Sequence, residues 1–324
     1  MSILSAKYMH DEAAAFEHVE SLLWPEGPVC PHCGVVDDAV RLEGIRTKPS
    51  KKNPEGKVRH GLWRCKACRG QFTVRKGTIF EESHLELHKW LQAVHLMVSS
   101  KKGISAHEMH RVLEVTYKTA WFLCHRIREA MRTEHTGLMG GNGGVVEADE
   151  TFIGKDPKFM RYHPKGKKIG LRQKMKVLAL VDRETGQVRS QVIDHLSKRD
   201  IAPILRENIA KEARLSTDEA SHYRSLGKEF AEHLAVNHGV EEYVRGDAHT
   251  NTLEGYFSIF KRGMKGVYQH CAKKHLHRYA AEFEFRYNNR VAAGVNDVER
   301  GEIALRSAAG KRLTYRRTDY NATP

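Results

Sequence analysis

The stretch Val145-Val146-Glu147-Ala148-Asp149-Glu150-Thr151-Phe152 decides how the second half of this chain is read. Its apolar and β-branched residues read as a strand with Asp149 near its end. Strand alternation points Glu147 the same way as Asp149 and Glu150 away, which makes Glu147 the more credible auxiliary acid. Immediately upstream, residues 136–144 hold five glycines in nine positions and mark a domain boundary, a Gly-rich linker. Immediately downstream, residues 154–174 form a basic loop with eight Lys/Arg and one acid, Asp156. Strands are expected at 177–181 and 188–193 around a turn at 183–186. Helices are expected at 200–213, 221–236, 250–263 and 273–288. Strands followed by helices predict a mixed α/β domain over 145–300, then a basic tail over 301–324.

Two further acids stand out in this half. Asp218 lies between a short extended stretch and a helix, with Glu219 adjacent. Glu254 lies on the expected helix, with 35 residues between it and Asp218. Acids on a strand, a loop and a helix can converge although distant in sequence. Converged carboxylates are what two-metal phosphoryl transfer needs, and oxygen ligands suit Mg²⁺, with Mn²⁺ as the alternative. The chain has 40 Asp and Glu residues, so spacing by itself does not single out these three.

The first half has a different chemistry. Four of the six cysteines form two C-x-x-C pairs, Cys30/Cys33 and Cys65/Cys68, separated by 31 residues. Two such turns supply a closed tetrahedral Cys₄ shell, hence structural zinc, in a ribbon over 28–77. The long gap predicts a hairpin with an extended loop, and His32 and His60 read as solvated rather than as ligands. Between 44 and 76 there are eleven Lys/Arg and one acid, Glu55, a composition suited to phosphate contact.

Helical signals flank the ribbon. Residues 11–24, in an N-terminal segment 1–27, read as a short helix capped by Asp11. Ser83-x-x-Glu86 reads as a capping box before Leu87, Trp90, Leu91, Val94 and Val98 at helical spacing. Ser105-x-x-Glu108 starts a second helix, which runs to about Leu113, and Thr116 caps a third. Ala120, Cys124, Ile127 and Met131 mark the buried face of that third helix. The region 83–135 thus reads as a helix-turn-helix, with Lys118, Thr119, Phe122 and Arg126 toward the open face. Lys118, Thr119 and Arg126 are the candidate DNA contacts.

The formal charge of +14 and pI near 9.5 favour a polyanionic partner, of which nucleic acid is the commonest. A hydrophobic share of 40% predicts a folded chain. The N-terminus offers no apolar signal core, and no run approaches the roughly 18 apolar residues of a membrane helix. A cytoplasmic, nucleoid-associated bacterial protein without membrane contact is expected.

Taken together, the motifs resemble those of bacterial insertion-sequence DDE transposases with an N-terminal zinc ribbon. The resemblance runs from about residue 10 to 290. It rests on Trp24 to Gly34, the second cysteine pair with Gln71-Phe72-Thr73, and Gly77 to Phe80. It continues through Ala148 to Gly154, Asn251 to Glu254, Lys261 to Gly263, Gly266 to Tyr268 and Glu284 to Asn288. It implies an RNase H-like catalytic core with metal-binding Asp149 and Asp218. Glu254 matches the third acid, although some members use Asn there, and Asn251 lies one turn earlier. Lys261 matches the following lysine and shares a helix face with Glu254. The implied partners are double-stranded DNA, as transposon ends and target, and further copies of the chain in the DNA complex. Two other readings use part of the same residues: a zinc-ribbon and helix-turn-helix regulator without catalysis, and a nuclease that hydrolyses without joining.

Overall fold

The structure, a computed structural model, describes residues 3–51, 53–160, 167–218, 221–236 and 250–314. Glu219, residues 161–166 of the basic loop and the tail beyond 314 therefore lie outside the described residues. The first half contains α1 (Glu12–Leu23), β1 (Ala39–Arg41), β2 (Trp63–Cys65), β3 (Gln71–Phe72), α2 (Leu87–Ser99), α3 (Ala106–Leu113) and α4 (Tyr117–Met131). The second contains β4 (Val145–Ile153), α5 (Pro157–Met160), β5 (Met175–Asp182), β6 (Val188–Ile193), α6 (Lys198–Asn208), β7 (Arg214–Asp218), α7 (Ser221–Leu226), β8 (Glu232–Val236), α8 (Asn251–Gly263), α9 (Lys273–Asn288) and α10 (Asp297–Arg306).

The chain divides into two compact units. The first comprises Met1–Ser100, Ile104–Met131 and the chain from Asn296 onward. Here β1, β2 and β3 form an antiparallel sheet, and residues 42–62 make the expected extended hairpin, with bridges at Arg46↔Val58 and Ser50↔Asn53. Helix α1 starts where Asp11 accepts the Ala14 N–H at 2.8 Å. Helix α2 starts differently from the expectation. Ser83 turns back to accept from Leu85 N–H and Trp90 Nε1, and the Glu12 carboxylate accepts from Leu87 N–H at 2.8 Å and His88 N–H at 3.1 Å. A charge from a distant helix thus satisfies donors that a local cap would otherwise take. Arg75 neutralises that carboxylate at 3.1 Å. Helix α10, expected as catalytic domain running into a tail, packs on α1 and α2 instead and opens with an Asn296/Glu299 capping box.

The second unit is a mixed α/β domain around a five-stranded sheet of order β6-β5-β4-β7-β8. Strands β4, β5 and β6 are antiparallel, while β7 and β8 run parallel to β4. One face of the sheet packs Val146, Ala148, Leu178, Leu180 and Leu215 against Ile201 and Leu205 of α6 and Tyr223 of α7. The other packs Val177, Ala179 and Val181 against Leu253, Tyr256 and Phe260 of α8 and Leu276 and Phe283 of α9. The expected helix over 221–236 ends at Leu226, and Glu232–Val236 forms edge strand β8. Pairing with β7 overrides the helical preference of that short run.

The Gly-rich segment is not a free linker. Met139 is buried, its N–H donates to the Asn208 carbonyl, and its own carbonyl accepts from the Ala210 N–H. Gly140 has φ +72°, and a Cβ there would sit 2.6 Å from Ala213 Cβ and 2.7 Å from Val146 Cγ2. This glycine serves a close approach of backbone to the sheet.

Candidate functional site

In the first unit, the sulfur pairs Cys30–Cys68 and Cys33–Cys65 each lie 3.6 Å apart, and all four sulfurs are within 4.8 Å of one another. A tetrahedron with Zn–S of about 2.3 Å has edges of about 3.8 Å, so the four thiolates fit one zinc ion. Desolvation opposes ionisation of Cys30, yet the N–H groups of His32 and Cys33 and the neighbouring thiols hold its thiol down to about 6. A thiolate is the form that binds metal. Trp24, Trp63 and Phe72 pack around the buried Cys30 and Cys65. His32 is exposed, with Nε2 3.3 Å from the Gln71 carbonyl oxygen, and His60 lies outside the sulfur cluster.

In the second unit, Asp149 stands in the middle of central strand β4, opposite Ala179 of β5, rather than at the strand end. The parallel ladder pairs Glu147 with Ser216. Two residues further along both strands, Asp149 and Asp218 are level on adjacent strands and face the α8 side of the sheet. Asp149 is half-buried. Burial first, then the charges of Glu150 and Asp218, push its carboxyl up to about 7, against the Glu150 N–H and the Lys261 ammonium. Two adjacent carboxylates with this unfavourable balance fit a hard divalent cation held by oxygen ligands.

Helix α8 contributes the remaining residues. Leu253, Tyr256, Phe257 and Phe260 are buried. Asn251 and Glu254 are exposed on its first turn, and exposed Lys261 has its Nζ 5.9 Å from the Phe257 ring centroid. Among the described residues, only the four cysteines bring three or more ligand atoms of His, Cys, Asp or Glu within 4.8 Å of one another. Glu254 therefore does not close with Asp149 and Asp218 to that distance.

Glu147, expected as an auxiliary acid, is fully buried and engaged at both oxygens. Oε1 accepts from Arg183 Nε at 2.7 Å and Oε2 from the Leu253 N–H at 3.0 Å. It is thus an anchor between β4 and the first turn of α8, two residues from Asp149. Glu150 faces the opposite side, where the buried Tyr223 hydroxyl donates to it at 2.5 Å. Sequence reading missed Tyr223, because nothing local links it to a strand 70 residues away. It also missed the pair of buried Asp156 with half-buried Lys273, 2.7 Å apart, which ties the start of the basic loop to α9.

Helices α3 and α4 meet through a short joint in which Glu114 adopts φ 54°, and Thr116 Oγ1 accepts from the Thr119 N–H at 3.2 Å. Lys118 and Thr119 are exposed at the start of α4. Arg126 corrects the sequence reading. It is 5% exposed, donates through Nη2 to the Glu81 carbonyl, and lies over the Trp90 and Phe122 rings. The apolar surroundings that a lone helix-face projection leaves out draw its guanidinium inward.

The cysteine cluster and the acid-bearing sheet define a two-unit protein with a zinc ribbon and a separate carboxylate-lined α/β domain. Residues 10–71 match the transposase zinc-ribbon domain, and residues 142–288 match the ISXO2-like transposase domain. A protein of transposable element ISH50 from Halobacterium salinarum is 25% identical over 301 residues, covering 88% of this chain and 93% of that protein. Among solved structures, a chain of the simian T-cell lymphotropic virus intasome shares 11% identity over 59% of this chain and 64% of its own, with a TM-score of 0.28. The Drosophila P element transposase strand transfer complex gives 7%, 64%, 58% and 0.28 in the same order. This chain spans less than two thirds of either, and so low a TM-score defines no common fold. Two family models, both of transposase domains, thus match separate parts of this chain.

Proposed function

We propose that this protein binds the ends of its insertion sequence and catalyses DNA cleavage and strand transfer with divalent metal. The observation that carries the reading is the register that levels Asp149 with Asp218 on adjacent parallel strands, inside the transposase-domain match. A sheet antiparallel on one side of β4 and parallel on the other supports an RNase H-like core. Asp149, Asp218 and Glu254 would hold two Mg²⁺ ions, or Mn²⁺, with α8 moving Glu254 closer as the site fills. When bound, the ions supply Lewis-acid stabilisation of the attacking and leaving oxygens in an in-line phosphoryl transfer.

The chain's own residues position the substrate. Lys261 places a positive charge beside Asp149 and steadies a phosphate oxygen. Asn251 orients the start of α8, which Glu147 fixes to β4 through the Leu253 N–H. Water attacks the phosphodiester at the element's end and releases a 3′-hydroxyl. That hydroxyl then attacks a phosphodiester of target DNA, forming one P–O bond as another breaks. The ribbon and the α3–α4 pair, read as a helix-turn-helix, would bind duplex DNA, with Lys118 and Thr119 at base edges and the basic hairpin on phosphates. The assembly on DNA would be a homo-oligomer, working in the bacterial cytoplasm at the nucleoid.

The test is strand transfer on duplexes carrying the inverted repeats that flank the gene. Wild-type protein should cleave and join them. Asp149→Asn, Asp218→Asn and Glu254→Gln should each bind the ends and leave them uncut. Activity retained in any variant would remove that acid from the site, and end binding without cleavage by the wild type would favour the regulator.

A further inference from the structure

The parallel ladder between β4 and β7 ends at Glu147–Ser216, two residues short of the acids it leads to. Asp149 is still paired with Ala179 of β5, and Asp218 with Val236 of β8. Backbone pairing thus ties each acid to its outer strand and not to the other acid. Two carboxylates on neighbouring strands repel each other, and the β4–β7 ladder does not reach far enough to oppose their separation.

A side-chain bond joins the same two segments from behind. Glu150 directly follows Asp149, and Tyr223 in α7 lies five residues after Asp218. The Tyr223 hydroxyl donates to Glu150 Oε1 at 2.5 Å. The residue is fully buried and clusters with Val146, Ala148, Leu205 and Leu215 on the α6 side of the sheet. Burial first, then the charge and hydrogen bond of Glu150, then the charges of Asp149 and Asp218, hold the hydroxyl well above its ordinary range, so it stays a donor. A buried hydroxyl on that side of the sheet is no nucleophile for DNA, and Glu150, alternating with Asp149, is turned from the metal face. Glu147 offers the counterpart on the metal face, where it ties the first turn of α8 to β4.

We infer that Tyr223 is a positioning residue for the divalent-metal site, its bond to Glu150 holding Asp149 and Asp218 at the spacing that a shared cation requires. The inference rests on the metal-site reading above and gives a role to the acid beside Asp149 that the site does not use as a ligand. Groups that orient metal ligands from behind typically cost about 10- to 100-fold in metal affinity when replaced. A bond that served stability alone would lower the melting temperature and leave that affinity unchanged.

The experiment measures Mn²⁺ bound by the full zinc-loaded chain, read from the electron spin resonance of the free ion. Wild type should bind Mn²⁺, and Asp149→Asn should lose that binding. Tyr223→Phe removes one oxygen and keeps the ring, and it should weaken binding about tenfold or more. Glu150→Ala should weaken it as well. In the Glu150→Ala background, Tyr223→Phe should cost less than about twofold further, because the bond is already gone. Wild-type affinity in Tyr223→Phe or in Glu150→Ala, or an equal loss from Tyr223→Phe in both backgrounds, would overturn the positioning role alone. Mn²⁺ bound equally by the wild type and Asp149→Asn, or by neither, would overturn the metal-site reading and this inference with it.

Discussion

The two candidate metal centres are built on opposite plans. Each half of the cysteine site comes from one tight turn, so four ligands require only that two turns meet, and their sulfurs stand within 4.8 Å of one another. The proposed carboxylate site would take one residue from each of three elements, and the parallel ladder of β4 with β7, which ends at Glu147–Ser216, is what carries Asp149 and Asp218 onto neighbouring strands. Local construction gives a closed shell, which suits a permanent structural ion. Dispersed construction leaves an open, under-compensated site, which suits ions that arrive with substrate.

The strongest way to break this contrast is to remove a cysteine. Structural zinc is worth roughly 10–16 kcal/mol apparent in small peptides, and the ribbon sheet here has only three short strands. Cys30→Ser or Cys65→Ser should lose stoichiometric zinc by mass spectrometry and make residues 28–77 protease-sensitive. The second unit should keep its fold in the same variants. A fully folded ribbon without zinc would erase the distinction.

Next in size is the response to the other metal. Removing free magnesium by gel filtration, with the ribbon's zinc retained, should stop strand transfer without unfolding either unit, and added Mg²⁺ or Mn²⁺ should restore it. Asp149→Asn should reduce the rate by roughly a thousandfold or more at any Mg²⁺ concentration, as expected when charge stabilisation at the reacting oxygens is lost. If magnesium removal unfolded the second unit, its ions would be structural too.

A smaller effect should follow from Glu147, whose carboxylate joins β4 to α8 and pairs with Arg183. Breaking a buried pair by removing one partner typically costs about 3–5 kcal/mol. Glu147→Ala should therefore lower the urea midpoint of the second unit. It should also raise the Mg²⁺ concentration needed for half-maximal activity, because the first turn of α8 is no longer fixed. A loss of stability with an unchanged Mg²⁺ requirement would make Glu147 purely structural.

How far the sequence could be read follows the same divide. The C-x-x-C spacing announced four ligands, and helical periodicity placed α2 and α4 with their buried faces. Asp11, Ser105 and Thr116 were legible as caps because each acts three residues away. Helix α2 was not, because its cap is Glu12, 75 residues distant. Glu232–Val236 looked helical until β7 was there to pair with it. Arg126 seemed exposed because a helix projection does not show Trp90 and Phe122 closing over it. The level placement of Asp149 and Asp218 depends on strand register, which no short motif carries.

The finest test concerns the charge balance at Asp149 in the absence of metal. Its carboxyl stands at about 7 in the folded chain against an ordinary 3.8. Below about pH 4 it is protonated in both folded and unfolded chains and has no effect on stability. Between about 4 and 7 the unfolded chain ionises while the folded chain retains the proton. The folded state then binds more protons, so this group makes stability fall as pH rises through the window, and the penalty is complete above 7. Asp149→Asn removes the charge and nearly preserves the shape. With zinc retained and no Mg²⁺ present, the variant should therefore melt a few degrees above the wild type at pH 8 and together with it at pH 4. Saturating Mg²⁺ at pH 8 should raise the wild type and not the variant, since bound ligand stabilises only a site that can hold it. Glu254→Gln, at an exposed position, should leave the melting temperature without Mg²⁺ unchanged at either pH. A variant Asp149→Asn that melted below the wild type at pH 8 would show that the carboxylate already has its counter-charge within the protein, and the open-site reading of the second unit would lose its footing.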